Sequence, residues 1–276
     1  MTVGLLMVAS GIGAGVFGSL LGLGGGILIV PILTLGFGLD LREAVGVSLI
    51  SVIMTSSAAA GVYLERHVAN MRLGMTLELF TALGALVGGS IAFLLAENVL
   101  EGLFAVLLGY VAFTMARPRT ETAHDTSTLD IDPDGGAEPA QEVSTLERLS
   151  GEGYRVRNLG LGIVGASFAG IVSALLGIGG GIIKVPLMNL AMGVPLRVAT
   201  ATSNLMIGIT AAASAVIYLF RGEIDPYVAG PTAIGVFIGA TLGSRLGHRI
   251  DLRYLRILFV VVLVYTAFQM LMRGLK

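Results

Sequence analysis

The feature that most constrains this chain is a stretch that occurs twice, LLGLGGGILIVP from Leu20 to Pro31 and LLGIGGGIIKVP from Leu175 to Pro186. Set against each other at a shift of 155 positions, the two twelve-residue copies agree at nine places, so the chain is a duplication. Each copy interrupts a long apolar run with three consecutive glycines, Gly24, Gly25 and Gly26 in one, Gly179, Gly180 and Gly181 in the other. Glycine weakens a helix by roughly 1 kcal/mol per residue and lets backbone amides approach a ligand, so each triplet marks a place where a helix breaks.

Composition says what surrounds those breaks. Apolar residues make up 55% of the chain and charged ones 13%, with a mean hydropathy of +0.89, which places it among polytopic membrane proteins, in contact with a lipid bilayer. A net charge of −1 provides no basic field for nucleic acid. There is no cysteine, which excludes disulfides, thiolate metal sites and chemistry routed through a protein thiol. The apolar residues at the N-terminus continue past Gly15 with no cleavage-site pattern, so they read as a retained membrane segment.

The two halves follow the same course. An apolar run from Val3 to Phe37 holds the first glycine triplet and makes either two crossings or one re-entrant hairpin; runs from Ala44 to Leu64, Leu73 to Ala96 and Val99 to Ala116 are each about the length that crosses a bilayer. The second half repeats them at Leu159 to Met192, Val198 to Phe220, Val228 to Leu246 and Leu255 to Met272. Further matches at the same shift, such as Leu41-Arg42 with Leu196-Arg197, extend the duplication beyond the glycines. Between the halves nine of the eighteen acids gather in a Thr-, Ser-, Gly- and Pro-rich segment whose composition cannot build a core. The expected organisation is a first transmembrane repeat at 1–116, an acidic, disordered cytoplasmic linker at 117–157 and a second transmembrane repeat at 158–276.

Parity orients the halves. With three or five crossings each, the second half runs opposite to the first, an inverted repeat, and twelve arginines lie on one side of the membrane against three arginines and Lys276 on the other. One crossing per glycine segment gives a parallel repeat and a ten-to-six split instead. The positive-inside rule favours inversion, with the linker inside and both termini outside. The fold class expected is all-α polytopic, two homologous inverted repeats, each a Gly-broken half-helix or re-entrant segment plus three full transmembrane helices.

Paired broken helices in inverted repeats are a transporter arrangement in which freed backbone groups at the midplane hold the ligand. A helix that starts just after three glycines aims unsatisfied amides and a positive dipole end at the glycine turn, which suits an anion. The alternative is that the glycines only let helices pack closely. Lys184 stands where the first copy has Ile29 and is the one Lys or Arg inside an apolar run away from its ends; it either faces the transport path or snorkels to an interface. Glu78 either carries a proton or sits at the interface, with the interface favoured. Ser48, Ser203 and Asn204 supply neutral donors at matching places, for an anion or for interhelical hydrogen bonds. Pro31 and Pro186 shape the second half-helices without touching substrate. The spacings Gly84-x-x-x-Gly88 and Gly235-x-x-x-Gly239-x-x-x-Gly243 mark close helix contact, within the chain or in a homodimer.

An enzyme acting within the membrane needs paired acids, a Ser–His or Ser–Lys arrangement, or a histidine cluster. The three histidines, His67, His124 and His248, are scattered over loops, so the reading is not an enzyme, with no cofactor and no metal.

On the duplicated LGxGGGxxxVP stretch, four apolar runs per half and a polar central linker, the chain resembles the TauE/SafE sulfite exporter family, also called the 4-toluene sulfonate uptake permease family. The resemblance implies a transporter of small anionic substrates such as sulfite, sulfonates or sulfoacetate in the inner membrane. An interior-negative potential drives a monoanion outward by about 2.3 kcal/mol per 100 mV, which favours export; proton-coupled import and an anion channel are the alternatives.

Overall fold

The computed structural model of the chain describes residues 2–21, 25–65, 69–116, 149–150, 154–246 and 252–274. It is all-helical. Helix α1 spans Thr2–Leu21, α2 Gly26–Pro31, α3 Leu41–Glu65, α4 Met71–Ala92 and α5 Glu97–Ala116; the second half has α6 Leu159–Leu176, α7 Gly181–Pro186, α8 Leu196–Phe220, α9 Pro226–Leu246 and α10 Leu252–Gly274. Gly26 and Gly181, Leu41 and Leu196, Met71 and Pro226, and Glu97 and Leu252 begin equivalent helices, each pair related by the shift that aligns the glycine motifs.

Eight of these helices are long and apolar enough to cross a membrane, four in each half. Three of the four in each half are the full helices expected after the glycine segment, and the fourth, α1 or α6, precedes the triplet. The residues before each triplet form a full-length helix of their own, α1 or α6, and the Val-Pro part of the motif becomes a separate short one. Both short helices widen into a π-helical turn directly after proline, Ile32–Gly36 after Pro31 and Leu187–Ala191 after Pro186. Proline offers no amide and its ring opposes the carbonyl one turn back, so the helix gives way there.

Small residues set how the helices pack. Along α1 and α9, Gly11 and Gly15 press on the backbone of Thr232 and Val236, while Gly235, Gly239 and Gly243 press on Val8, Ile12 and Val16. A Cβ on Gly11 would lie 2.6 Å from the carbonyl of Thr232. The same interlock recurs between α4 and α6, with Gly84 against Ser167, Gly88 against Ile171 and Gly170 against Thr81. Both glycine spacings thus serve contacts inside the chain. In addition α3 packs on α8 and α9, α4 on α8, and α5 on α10, so exchanging the halves maps the set of contacts onto itself. Large apolar side chains such as Leu5, Val106, Phe113, Val164, Phe168 and Val264 face outward, as a lipid-facing surface requires.

The end of the segment assigned to the linker belongs to the bundle. Leu149 and Val156 are buried with Leu73, Leu77 and Met188, and Asn70 holds this segment by donating to the carbonyl of Leu149 and the hydroxyl of Tyr154. Two apolar residues in a polar stretch are enough to dock it. Residues 117–148, His67, His124 and His248 lie outside the described residues.

Candidate functional site

The two glycine-rich segments meet. A Cβ on Gly26 would lie 2.6 Å from the carbonyl oxygen of Gly177 and 2.6 Å from Cγ2 of Val52. Ser48, on α3, closes the junction: its hydroxyl is 2.7 Å from the carbonyl oxygen of Gly177 and 3.2 Å from that of Gly26. Gly177 caps α6 with φ +69, and Gly179 and Gly180 follow at +81 and +74, so three glycines of the second copy adopt a left-handed backbone. Gly25 has φ −67, which any residue tolerates; space is what limits it, with Val236 Cγ1 at 3.2 Å and Thr55 Oγ1 at 3.3 Å from a Cβ placed there. Gly24 lies outside the described residues.

After these turns the first amides of α2 and α7 have no acceptor within their helices, because the bonds begin at Leu28 and Ile29 to Gly25 and at Ile183 and Lys184 to Gly180. Ser203 is the repeat counterpart of Ser48. It is fully buried with its Oγ 3.7 Å from the Cβ position of Gly181, and it has no hydrogen-bond partner. Asn204 takes part through its main chain, accepting from Ser56 Oγ at 2.6 Å. Gly181 carries Ile207 Cδ1 2.5 Å from its Cβ position. Pro31 is wholly buried.

Lys184 neither lines an open path nor snorkels. Its residue is 1% exposed, and its Nζ is 3.1 Å from Oε2 of Glu78 and 2.6 Å from Oγ1 of Thr210. The threonine donates in turn to Oε1 of Glu78 at 2.6 Å, closing a triangle of ammonium, hydroxyl and carboxylate. The interfacial reading of Glu78 is overturned as well: it is 4% exposed, on the face of α4 that meets α8. A lone charge inside lipid calls for an opposite one, and Glu78 was the one acid available inside a run away from its ends.

Sequence reasoning missed Thr210 and Ser173. Ser173 on α6 is fully buried and without a hydrogen-bond partner, and its Cβ is 3.4 Å from the Cβ position of Gly180. Its counterpart in the first half is Gly18, so comparison of the copies would have flagged it. A narrow, apolar cleft between α4 and α8 runs past Asn70, Gly74, Thr202 and Met206 to Glu78.

The family profile described as Sulfite exporter TauE/SafE matches residues 7–270. Among similar proteins, the probable membrane transporter protein YunE of Bacillus subtilis is 26% identical over 283 residues, covering 98% of this chain and 98% of that one. The probable membrane transporter protein MJ0441 of Methanocaldococcus jannaschii is 26% identical over 94% of this chain and 91% of its own. The Sulfite exporter TauE/SafE family protein 6 of Arabidopsis thaliana is 34% identical over 98 residues, 36% of this chain and 23% of that protein. No solved structure matches the chain.

Proposed function

Since the chain belongs to the sulfite exporter TauE/SafE family and is a multi-pass membrane transporter, not an enzyme, we propose that it moves small sulfur-containing or organic anions across the cell inner membrane. Sulfite, sulfonates and sulfoacetate are the substrates of choice. The observation that carries this reading is the meeting of the two glycine-rich segments, where Gly26 at the start of α2 lies against Gly177 at the end of α6, with the buried hydroxyl of Ser203 beside Gly181 at the start of α7. Backbone amides and hydroxyls at such a place bind an oxyanion without the desolvation cost of an unpaired cation.

The halves are inverted, with the linker inside and both termini outside. What supports this is the direction of contact between α4 and α8: Gly74 lies against Thr202, Glu78 bonds Thr210 and Gly89 lies against Ile217, so residue numbers rise together. From Glu65 to Met71 the chain can reach about 20 Å, less than the ~33 Å length of α4, so α3 and α4 run in opposite senses. Then α3 opposes α8, its own repeat counterpart.

Uncoupled carriage of a monoanion runs outward under an interior-negative potential. One observation favours a second reading, coupled uptake: the acid at position 78 is enclosed in the bundle rather than at its surface. Purified protein in liposomes, given gradients of sulfite, thiosulfate, methanesulfonate, sulfoacetate, taurine and simple carboxylates, tests the assignment. Saturable flux of a sulfur oxyanion is expected; the absence of flux for all of them rejects it, and flux that never saturates supports a channel.

A further inference from the structure

Glu78 and Lys184 are matched departures from the repeat. Their equivalents are Ala233 and Ile29, both buried, whereas Thr210 keeps its counterpart Thr55. The second copy of this position in the fold therefore holds together with apolar side chains. An ion pair adds nothing to packing that these do not supply, and removing two charges from water carries a penalty its mutual attraction only partly offsets. The pair calls for a use other than cohesion.

Its surroundings supply one. On one side the Lys184 stem lies against the glycine turn, with Cε 3.5 Å from the Cβ position of Gly180. Ser173 and Ser203, buried hydroxyls without partners, flank Gly180 and Gly181 there. On the other side Glu78 lines the cleft that runs towards Asn70 at the start of α4.

The geometry points to Glu78 as the proton-coupling group of this transporter, its protonation releasing the Lys184 ammonium to an anion held at Gly180, Ser173 and Ser203. This rests on the anion-transport reading above. In the structure carboxylate and ammonium are paired. A proton from water bonds to Oε2 of Glu78, the contact with Nζ breaks, and Lys184 keeps its own protons and its charge. One monoanion then restores neutrality, so one proton accompanies each monoanion and neither state leaves a charge unbalanced. Among the described residues, no other charged group is hydrogen-bonded to Glu78 or Lys184. Helix α6 has no charged residue; Arg72 on α4, Arg197 on α8, and Arg155 and Arg157 ahead of α6 are exposed. Arg221, just after α8, lies over the Phe93 ring, Tyr218 donates to the carbonyl of Ala174, and Tyr154 accepts from Asn70.

The test uses the full chain in liposomes with a pH dye inside and an inward gradient of labelled methanesulfonate, whose single charge does not titrate. The wild type should acidify the lumen in step with uptake, at a rate insensitive to imposed voltage. Glu78→Gln, which imitates the protonated acid, should move sulfonate with loss of acidification and with a rate that voltage now changes several-fold. Glu78→Ala/Lys184→Ile, which copies the equivalent residues, stands in where Glu78→Gln does not insert, and it too should lose acidification. Wild-type uptake without acidification, or acidification that survives in either variant, overturns the coupling role and leaves transport standing. No movement of methanesulfonate by the wild type overturns the sulfonate site, and this inference with it.

Discussion

The hydroxyl of Ser48 donates to the carbonyl oxygen of Gly177 at 2.7 Å, tying a helix of the first half to the glycine turn of the second across 129 positions. Its repeat counterpart Ser203 is as deeply buried and has no partner. Equivalent residues with unequal bonding are expected to respond differently to loss of the hydroxyl.

Ser48→Ala strands the Gly177 carbonyl in the interior and should lower stability by about 1–3 kcal/mol. Ser203→Ala removes a buried hydroxyl that has no hydrogen-bond partner within the protein, so its stability should hold while anion affinity falls. Thermal unfolding in detergent, with and without methanesulfonate, reads both. Equal destabilisation of the two variants would assign Ser203 to structure.

The glycines differ in what they tolerate. Gly26→Ala drives a methyl into Gly177 and Val52 and should reduce folded yield sharply. Gly180→Val forces a β-branched residue to φ +74 and should abolish anion binding. Gly25→Ala meets only contacts of 3.2 and 3.3 Å at an ordinary φ, and should fold. Wild-type binding by Gly25→Ala together with full binding by Gly180→Val would move the site elsewhere.

Lys184→Ile restores the residue of the first copy, and from sequence alone it is expected to leave folding intact. With Glu78 against the ammonium, that expectation changes: removing one partner of a buried pair costs about 3–5 kcal/mol. Adding Glu78→Ala should recover most of the loss. A double-mutant cycle on unfolding temperature measures the coupling, and additive losses would show that the two charges do not depend on each other.

A reporter fused to the C-terminus should be active only in its extracytoplasmic form, as inversion with an internal linker requires. Activity of a cytoplasmic reporter at that end would reject the topology.

Replacing residues 120–148 with a flexible sequence of similar length should leave transport in vesicles unchanged, provided Leu149, Tyr154 and Val156 remain to dock against Leu73 and Asn70. Extending the replacement through residue 156 should destabilise the start of α4, because Asn70 loses both acceptors. Transport lost on the shorter replacement in a correctly inserted protein would give the linker a regulatory role.

Duplication, membrane character and the glycine motifs were legible in the residues themselves, because apolar run length, glycine propensity and a gap-free repeat are properties of neighbours along the chain. The same comparison of copies singled out Lys184 against Ile29. What neighbours in sequence cannot reveal is which side chains converge from distant helices. Glu78 and Lys184 lie 106 positions apart, and Ser48 reaches Gly177 across 129. An acid near the start of an apolar run is equally compatible with an interface and with a bundle interior until packing sets the rotation of its helix. Only the packing of α4, held to α6 by glycines that admit close backbone approach and set against α8 as well, turned Glu78 inward. The low-dielectric interior then made its pairing with Lys184 the arrangement that leaves neither charge alone.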